Sequence, residues 1–242
     1  MKIICMIRTV LATLFVCAYL MIVGIITILI NFFTGREDVF FSTGKFAIKV
    51  ALSIVGVKVI SAGISSNAAY SSCLFISNHQ SNLDPAILSI IPPVNIKFLP
   101  KRQVFYLPIL SYVLRKAGFV PIDRENKVQS MRSLITVVNR LKKGDSYCIF
   151  PEGTRSASGK LQEFKQGAFM LAVRSHCTIV PVFIKGSYDL MPKGKWYINP
   201  GTIKVKIFPQ IRIDAHKDEN MSKLQNEIHD ILKKEEETGE WI

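Results

Sequence analysis

A histidine and an aspartate stand five residues apart in the stretch Ser77-Asn78-His79-Gln80-Ser81-Asn82-Leu83-Asp84-Pro85. An imidazole takes up a proton near neutral pH, and a carboxylate beside it fixes the tautomer and stabilises the imidazolium. A plainer reading exists: Asp84 ahead of Pro85 looks like an N-cap before a first-turn proline, with His79 merely structural. Three other stretches stand out. Gly118 to Arg124 ends in Asp123-Arg124, whose plain reading is a surface ion pair. In Phe150-Pro151-Glu152-Gly153-Thr154-Arg155 the glycine permits a turn that exposes N–H groups, and Arg155 offers a fork for phosphate. Val180-Pro181-Val182 is an apolar strand interrupted by proline, which indicates an edge strand or a bulge.

These residues need elements to hold them. Cys73 to Ile76 suits a short inner strand, placing His79 on a strand-to-helix loop, where sites are often built. Periodicity and turn residues predict strands over 57–61, 73–77, 95–99, 119–122, 146–150, 178–184, 195–198 and 202–208. Helices are predicted over 85–91, 103–117, 127–143, 164–175 and 221–237. Asn199-Pro200-Gly201 would join the last two strands as a hairpin. The order indicates an α/β fold with a mixed, mostly parallel sheet flanked by helices. The His79, Arg124 and Arg155 stretches then fall at carboxyl ends of strands, where open α/β sheets bind ligands.

The chain has 242 residues, 49% of them hydrophobic, and a formal net charge of +13. Residues 1–122 hold 11 Lys+Arg against three acids, which suggests an anionic membrane surface or anionic ligands. No zinc-finger spacing or basic heptad repeat supports nucleic acid as a partner. Thr9 to Gly35 contains no charge and is long enough to cross a bilayer, longer than a signal-peptide core. A retained anchor is expected. Residues 40–56 form a second apolar segment, read equally well as an amphipathic helix on the membrane or as an ordinary domain helix. The expected division is a membrane-associated helical segment over 1–56 and an α/β domain over 57–242.

Several patterns fail as motifs. Gly153 to Lys160 has five residues between its glycines, one too many for a phosphate loop, and Leu161 follows the lysine. The five cysteines have no metal-ligand spacing, and Cys148 reads as core.

Together the four stretches resemble the 1-acylglycerol-3-phosphate acyltransferase family. The matches are N-H-x4-D at 78–84, G-F-x-x-I-D-R at 118–124, F-P-E-G-T-R at 150–155 and V-P-V at 180–182, in that order. Lys101 and Pro108 also match, whereas Gln103 stands where the family often carries an acid. The resemblance spans roughly residues 45–210. It implies a glycerol-phosphate acyltransferase-like fold with an N-terminal hydrophobic anchor, and acyl transfer from acyl-CoA or acyl-carrier protein to lysophosphatidate. It makes His79 the general base, oriented by Asp84, and needs neither metal nor cofactor, because the thioester is already activated. Arg124, Arg155 and Lys101 would bind the acceptor phosphate, with Glu152, Gly153 and Thr154 shaping that site and Glu152 orienting an arginine. Backbone N–H groups near 78–85 or 152–155 are candidates for the oxyanion. The lipid bilayer would be a partner, with the domain on the cytoplasmic side of a bacterial inner membrane. Acylation of glycerol 3-phosphate or another lysophospholipid, or a non-catalytic lipid-phosphate-binding module, remains open at this point.

Overall fold

The computed structural model describes residues 2–63, 70, 72–213 and 221–239. One sheet of six strands organises the chain: β1 (Val57–Ala62), β2 (Cys73–Ser77), β3 (Ile96–Lys97), β4 (Ser146–Ile149), β5 (Thr178–Lys185) and β6 (Gly201–Ile207). Their order across the sheet is β1-β6-β5-β2-β4-β3, and every neighbouring pair is parallel except β5 with β6. β2 is buried at all five positions, as expected for an inner strand covered on both faces. One core, containing Phe75, Val180 and Ile203, lies under α2 (Asp38–Val55) and α3 (Asp84–Ile90). The other, containing Leu74, Tyr147 and Phe169, lies under α5 (Lys127–Leu141), α6 (Gly167–Ser175) and α8 (Met221–Thr238). A short α7 (Ser187–Leu190) follows β5.

Four expectations are corrected here. Residues 195–198 form no strand, so Asn199-Pro200-Gly201 is not a hairpin turn; Ile198 N donates to Thr9 Oγ1 of the N-terminal helix, and Gly201 opens β6 beside β1. Val180-Pro181-Val182 lies in an inner strand. Proline is tolerated because the ladder to β6 ends at Val182, and only the Pro181 carbonyl is used there, accepting from Phe208 N. Residues 119–122 make a single parallel bridge, Ile122 with Lys101, rather than a strand. The helix expected over 103–117 is broken into a 3₁₀ turn, Arg102–Tyr106, and α4 (Pro108–Lys116). The residue before a proline is pushed out of the helical region, and Leu107 adopts φ −81°, ψ 113°.

The N-terminal helix α1 (Lys2–Thr34) reverses the usual polarity. Its buried positions are small or polar: Cys5, Thr9, Ala12, Gly24, Thr27 and Asn31. Most of its leucines, isoleucines and phenylalanines face outward, among them Leu14, Ile22, Phe32 and Phe33. Thr9 and Thr27 return hydroxyl bonds to Cys5 O and Gly24 O, so their burial leaves no donor unpaired. α1 packs on α2 and α4, and it is long and apolar enough to cross a membrane.

Candidate active site

β2, β4 and β3 are consecutive in the sheet and parallel, so the loops leaving their carboxyl ends meet at one edge. That edge holds a cleft of about 690 Å³ lined by His79, Asn82, Lys101, Arg124, Thr154 and Arg155, among others.

The loop after β2 is buried polar backbone with its bonds assigned. Asn78 Nδ2 donates to Ile184 O and its Oδ1 accepts from Ile184 N, both at 2.8 Å, pinning the loop to β5. Asp84 opens α3 but does not cap it. Its Oδ2 instead accepts from Gln80 N and Ser81 N, each at 2.7 Å, and meets His79 Nδ1 at 2.8 Å. The capping reading is thereby corrected: α3 begins at Asp84 itself, with Pro85 in its first turn, and the carboxylate turns back onto the N–H groups of the loop before it. Asp84 Oδ1 is buried with no protein partner. The imidazole stacks on Phe150 at 4.1 Å between centroids and lines the cleft. With Nδ1 held by the carboxylate, Nε2 is the nitrogen left for a ligand.

The loop after β4 supplies the second wall. Gly153 sits at φ 75°, where a side chain would be strained and would run into Lys165. Its carbonyl accepts from Arg124 Nη1 at 2.7 Å, tying the 118–124 segment to the 150–155 segment. Arg124 therefore does not pair with Asp123. That carboxylate accepts from Glu125 N and Asn126 N instead, and the ion-pair reading is corrected. Burial in the cleft wall lowers the pKa of the Arg124 guanidinium. Among the described residues Arg155 has no hydrogen-bond or ion-pair partner, so its fork is free for a ligand.

Glu152 departs from expectation. It orients no arginine and does not line the cleft. Its Oε1 accepts from His79 N at 2.8 Å, and its Oε2 accepts from Gln162 Nε2 at 2.5 Å. Ser156 N in turn donates to His79 O. The two walls are thus clamped together through the backbone of the histidine. Burial pushes the Glu152 carboxyl up to about 7, against the lowering effect of these two donors.

The backbone bonding also narrows the oxyanion candidates. The N–H groups of His79, Gln80 and Ser81 are committed to carboxylates, and Gly153 N to Phe150 O. Thr154 and Arg155 keep N–H groups without a protein partner among the described residues. Two cations of the cleft, Lys165 and Lys193, belong to no motif, and nothing in the sequence distinguishes them from surface lysines. With Lys101, Arg124 and Arg155 they make, among the described residues, five cations in the lining and no acid. The remaining wall is apolar, formed by Phe98, Leu99, Ile122, Leu134 and Ala168. Cys148 also borders the cleft, yet it is almost wholly buried and burial raises its thiol pKa, which suits core rather than nucleophile.

Fold and site together define an α/β protein that presents a carboxylate-held imidazole to a cleft lined by cations. The family model described as Acyltransferase matches residues 39–185, and the chain belongs to that family. It is 34% identical over 161 residues to the 1-acyl-sn-glycerol-3-phosphate acyltransferase of Limnanthes alba, covering 65% of this chain and 57% of that protein. To the protein of the same name from Haemophilus influenzae it is 26% identical over 165 residues, covering 68% of each. The chain thus spans a little over half the length of its Limnanthes relative. The crystal structure of the 1-acyl-sn-glycerophosphate (LPA) acyltransferase PlsC from Thermotoga maritima shares the fold. Its TM-score is 0.78, with 24% identity, over 96% of this chain and 97% of that one.

Proposed function

We propose that this protein transfers a fatty acyl group from an acyl thioester, acyl-CoA or acyl-carrier protein, to the sn-2 hydroxyl of 1-acyl-sn-glycerol 3-phosphate, giving phosphatidic acid. The observation that carries the reading is the His79 ring, tied to Asp84 at Nδ1, in the wall of a cleft lined, among the described residues, by five cations and no acid. Curated relatives bearing the corresponding name support it.

An alcohol is a poor nucleophile, so its proton must leave as it attacks the thioester carbonyl. His79 Nε2 would take that proton while Asp84 stabilises the imidazolium, an effect worth about 10²–10⁴-fold. The same nitrogen would return the proton to the departing thiolate. The negative oxygen of the tetrahedral intermediate would be met by the free N–H groups of Thr154 and Arg155. Arg155 and Arg124, with Lys101, would hold the acceptor phosphate, and the bond to Gly153 O would aim the Arg124 fork. The wall of Phe98, Leu99, Ile122 and Leu134 would take an acyl chain. α1, with its outward apolar face, would anchor the chain in the membrane.

Acyl transfer measured with both thioesters, on lysophosphatidate and on glycerol 3-phosphate, tests this directly. Turnover on lysophosphatidate should dominate and fall at least ~10²-fold in His79→Ala. Arg155→Ala should raise the acceptor KM about 10-fold or more while leaving the donor KM unchanged. Preference for glycerol 3-phosphate, or a His79→Ala protein of normal activity, would overturn the proposal.

A further inference from the structure

The run from Pro85 to Ile122 contains no aspartate or glutamate but five lysines and arginines. Its centre, Lys101 to Lys116, is KRQVFYLPILSYVLRK: cations at both ends, apolar and aromatic residues between. The fold leaves this segment on the surface. Phe105 is its only buried side chain, while Tyr106 is 69% and Leu107 58% exposed, and α4 has no buried residue at all. The break at Pro108 turns Tyr106 and Leu107 outward instead of continuing one helix whose apolar stripe would face the core. Arg115 lies over the Phe105 ring and Lys116 over the Tyr112 ring, so the terminal cations lie back along the aromatic surface.

Two neighbours say what covers this surface. On one side α4 packs on α1, where Ile109 lies close to Gly24, so the exposed residues stand next to the helix that turns its large apolar side chains outward. On the other side Lys101 and Val104 form part of the cleft wall. A soluble partner would need to cover both α4 and the apolar length of α1. A bilayer covers both at once, and cations flanking an aromatic, apolar stretch are what an anionic headgroup layer selects.

We propose that Lys101–Lys116 is a second lipid-contacting element, seated in the headgroup layer of an anionic membrane beside α1, so that the cleft opens at the level of the lipid headgroups. A lysophospholipid would then enter the cleft without leaving the bilayer. That consequence, though not the surface itself, rests on the function proposed above.

The test uses the full chain with Trp196→Phe and Trp241→Phe, and Leu107→Trp as a reporter, in vesicles of phosphatidylcholine and phosphatidylglycerol. The reporter at 107 should emit further to the blue than in detergent-free buffer. Lipids brominated near the headgroup should quench it roughly twofold or more, and lipids brominated at the chain ends less. A chain that floats with the vesicles while its reporter stays unquenched would show that α1 alone makes contact, and would overturn the proposal. So would a reporter that responds only to added acyl-carrier protein. In the native background, Tyr106→Glu with Leu107→Glu should raise the KM for lysophosphatidate in vesicles about tenfold and leave turnover of a short-chain, water-soluble acceptor unchanged. Equal losses on both acceptors would count against the surface. Absence of turnover on either acceptor in the wild type would instead overturn the enzymatic reading, and the quenching result would decide the surface by itself.

Discussion

The loop Ser77–Asp84 and the helix α1 both break the rule that apolar residues go inside and polar ones outside, but in opposite directions. In the loop, Ser77, Asn78, His79, Gln80, Ser81 and Asp84 are all buried, and their donors are shared among Ile184, Glu152, Met191 and one another. In α1, Thr9, Thr27 and Asn31 face the protein, and the large apolar side chains face out. A buried polar loop is tolerable only when its groups are paired, since an unpaired one costs about 1–3 kcal/mol. An outward apolar helix is tolerable only when its surroundings are not water. The loop is therefore organised for precision and the helix for placement. With α1 placed in a membrane as proposed above, the same chain would meet two solvents, its own interior and a lipid phase.

The comparison breaks most severely at Asn78. Asn78→Ala removes both bonds to Ile184 and leaves a buried N–H and C=O without partners, so thermal or denaturant unfolding should report a loss of about 2–4 kcal/mol. Retained stability would mean the loop is not rigidly tied to β5. Glu152→Gln is milder and depends on pH. Burial holds the carboxyl up at about 7 in the folded state, above its ordinary 4.5, so the native state holds this proton more tightly than the unfolded chain does. Wild-type stability from this group is then fully present below about 4.5 and lost as pH rises through about 7, the reverse of an ordinary ion-paired carboxylate. Glu152→Gln should flatten that fall in melting curves recorded across the range, because its amide still accepts from His79 N without titrating. A steep fall surviving in the variant would assign it to another group. The smallest effect is expected from Thr9→Val in α1, which keeps the shape but removes the acceptor for Ile198 N. A loss of about 1 kcal/mol or less in vesicle-bound protein fits a helix packed by small residues, and a larger one would show that the 191–199 loop depends on this contact.

Much of the architecture was legible because it is local. The burial of β2 follows from Cys73-Leu74-Phe75-Ile76, and the presence of α5 from its apolar spacing. The face of α5 was harder to read: of the apolar stripe Val128, Met131, Leu134, Ile135, Val138 and Leu141, the first two and Ile135 stay exposed, and the buried side is Val137, Val138 and Leu141. The breaks were less legible. Leu107-Pro108 interrupts an apolar run whose periodicity continues across it, and Trp196 to Ile198 has strand composition but is drawn away to Thr9. At the site, the spacing of His79 and Asp84 admitted both a cap and an imidazole partner. Only the path of the chain decided between them, by turning Oδ2 toward the ring and the two N–H groups before it.

The sequence by itself determined the four charged or proline-bearing stretches, the uncharged N-terminal run and the excess of cations in the first half, since these are properties of residue type and order. Tertiary structure alone decided that Glu152 clamps His79 rather than facing the cleft, that Lys165 and Lys193 join the three cations marked by motifs, and that α1 turns its small residues inward. The reason is that such roles belong to pairs of residues distant along the chain, 73 positions apart for His79 and Glu152. A strand order of β2-β4-β3 brings those pairs together, and no local pattern encodes that order.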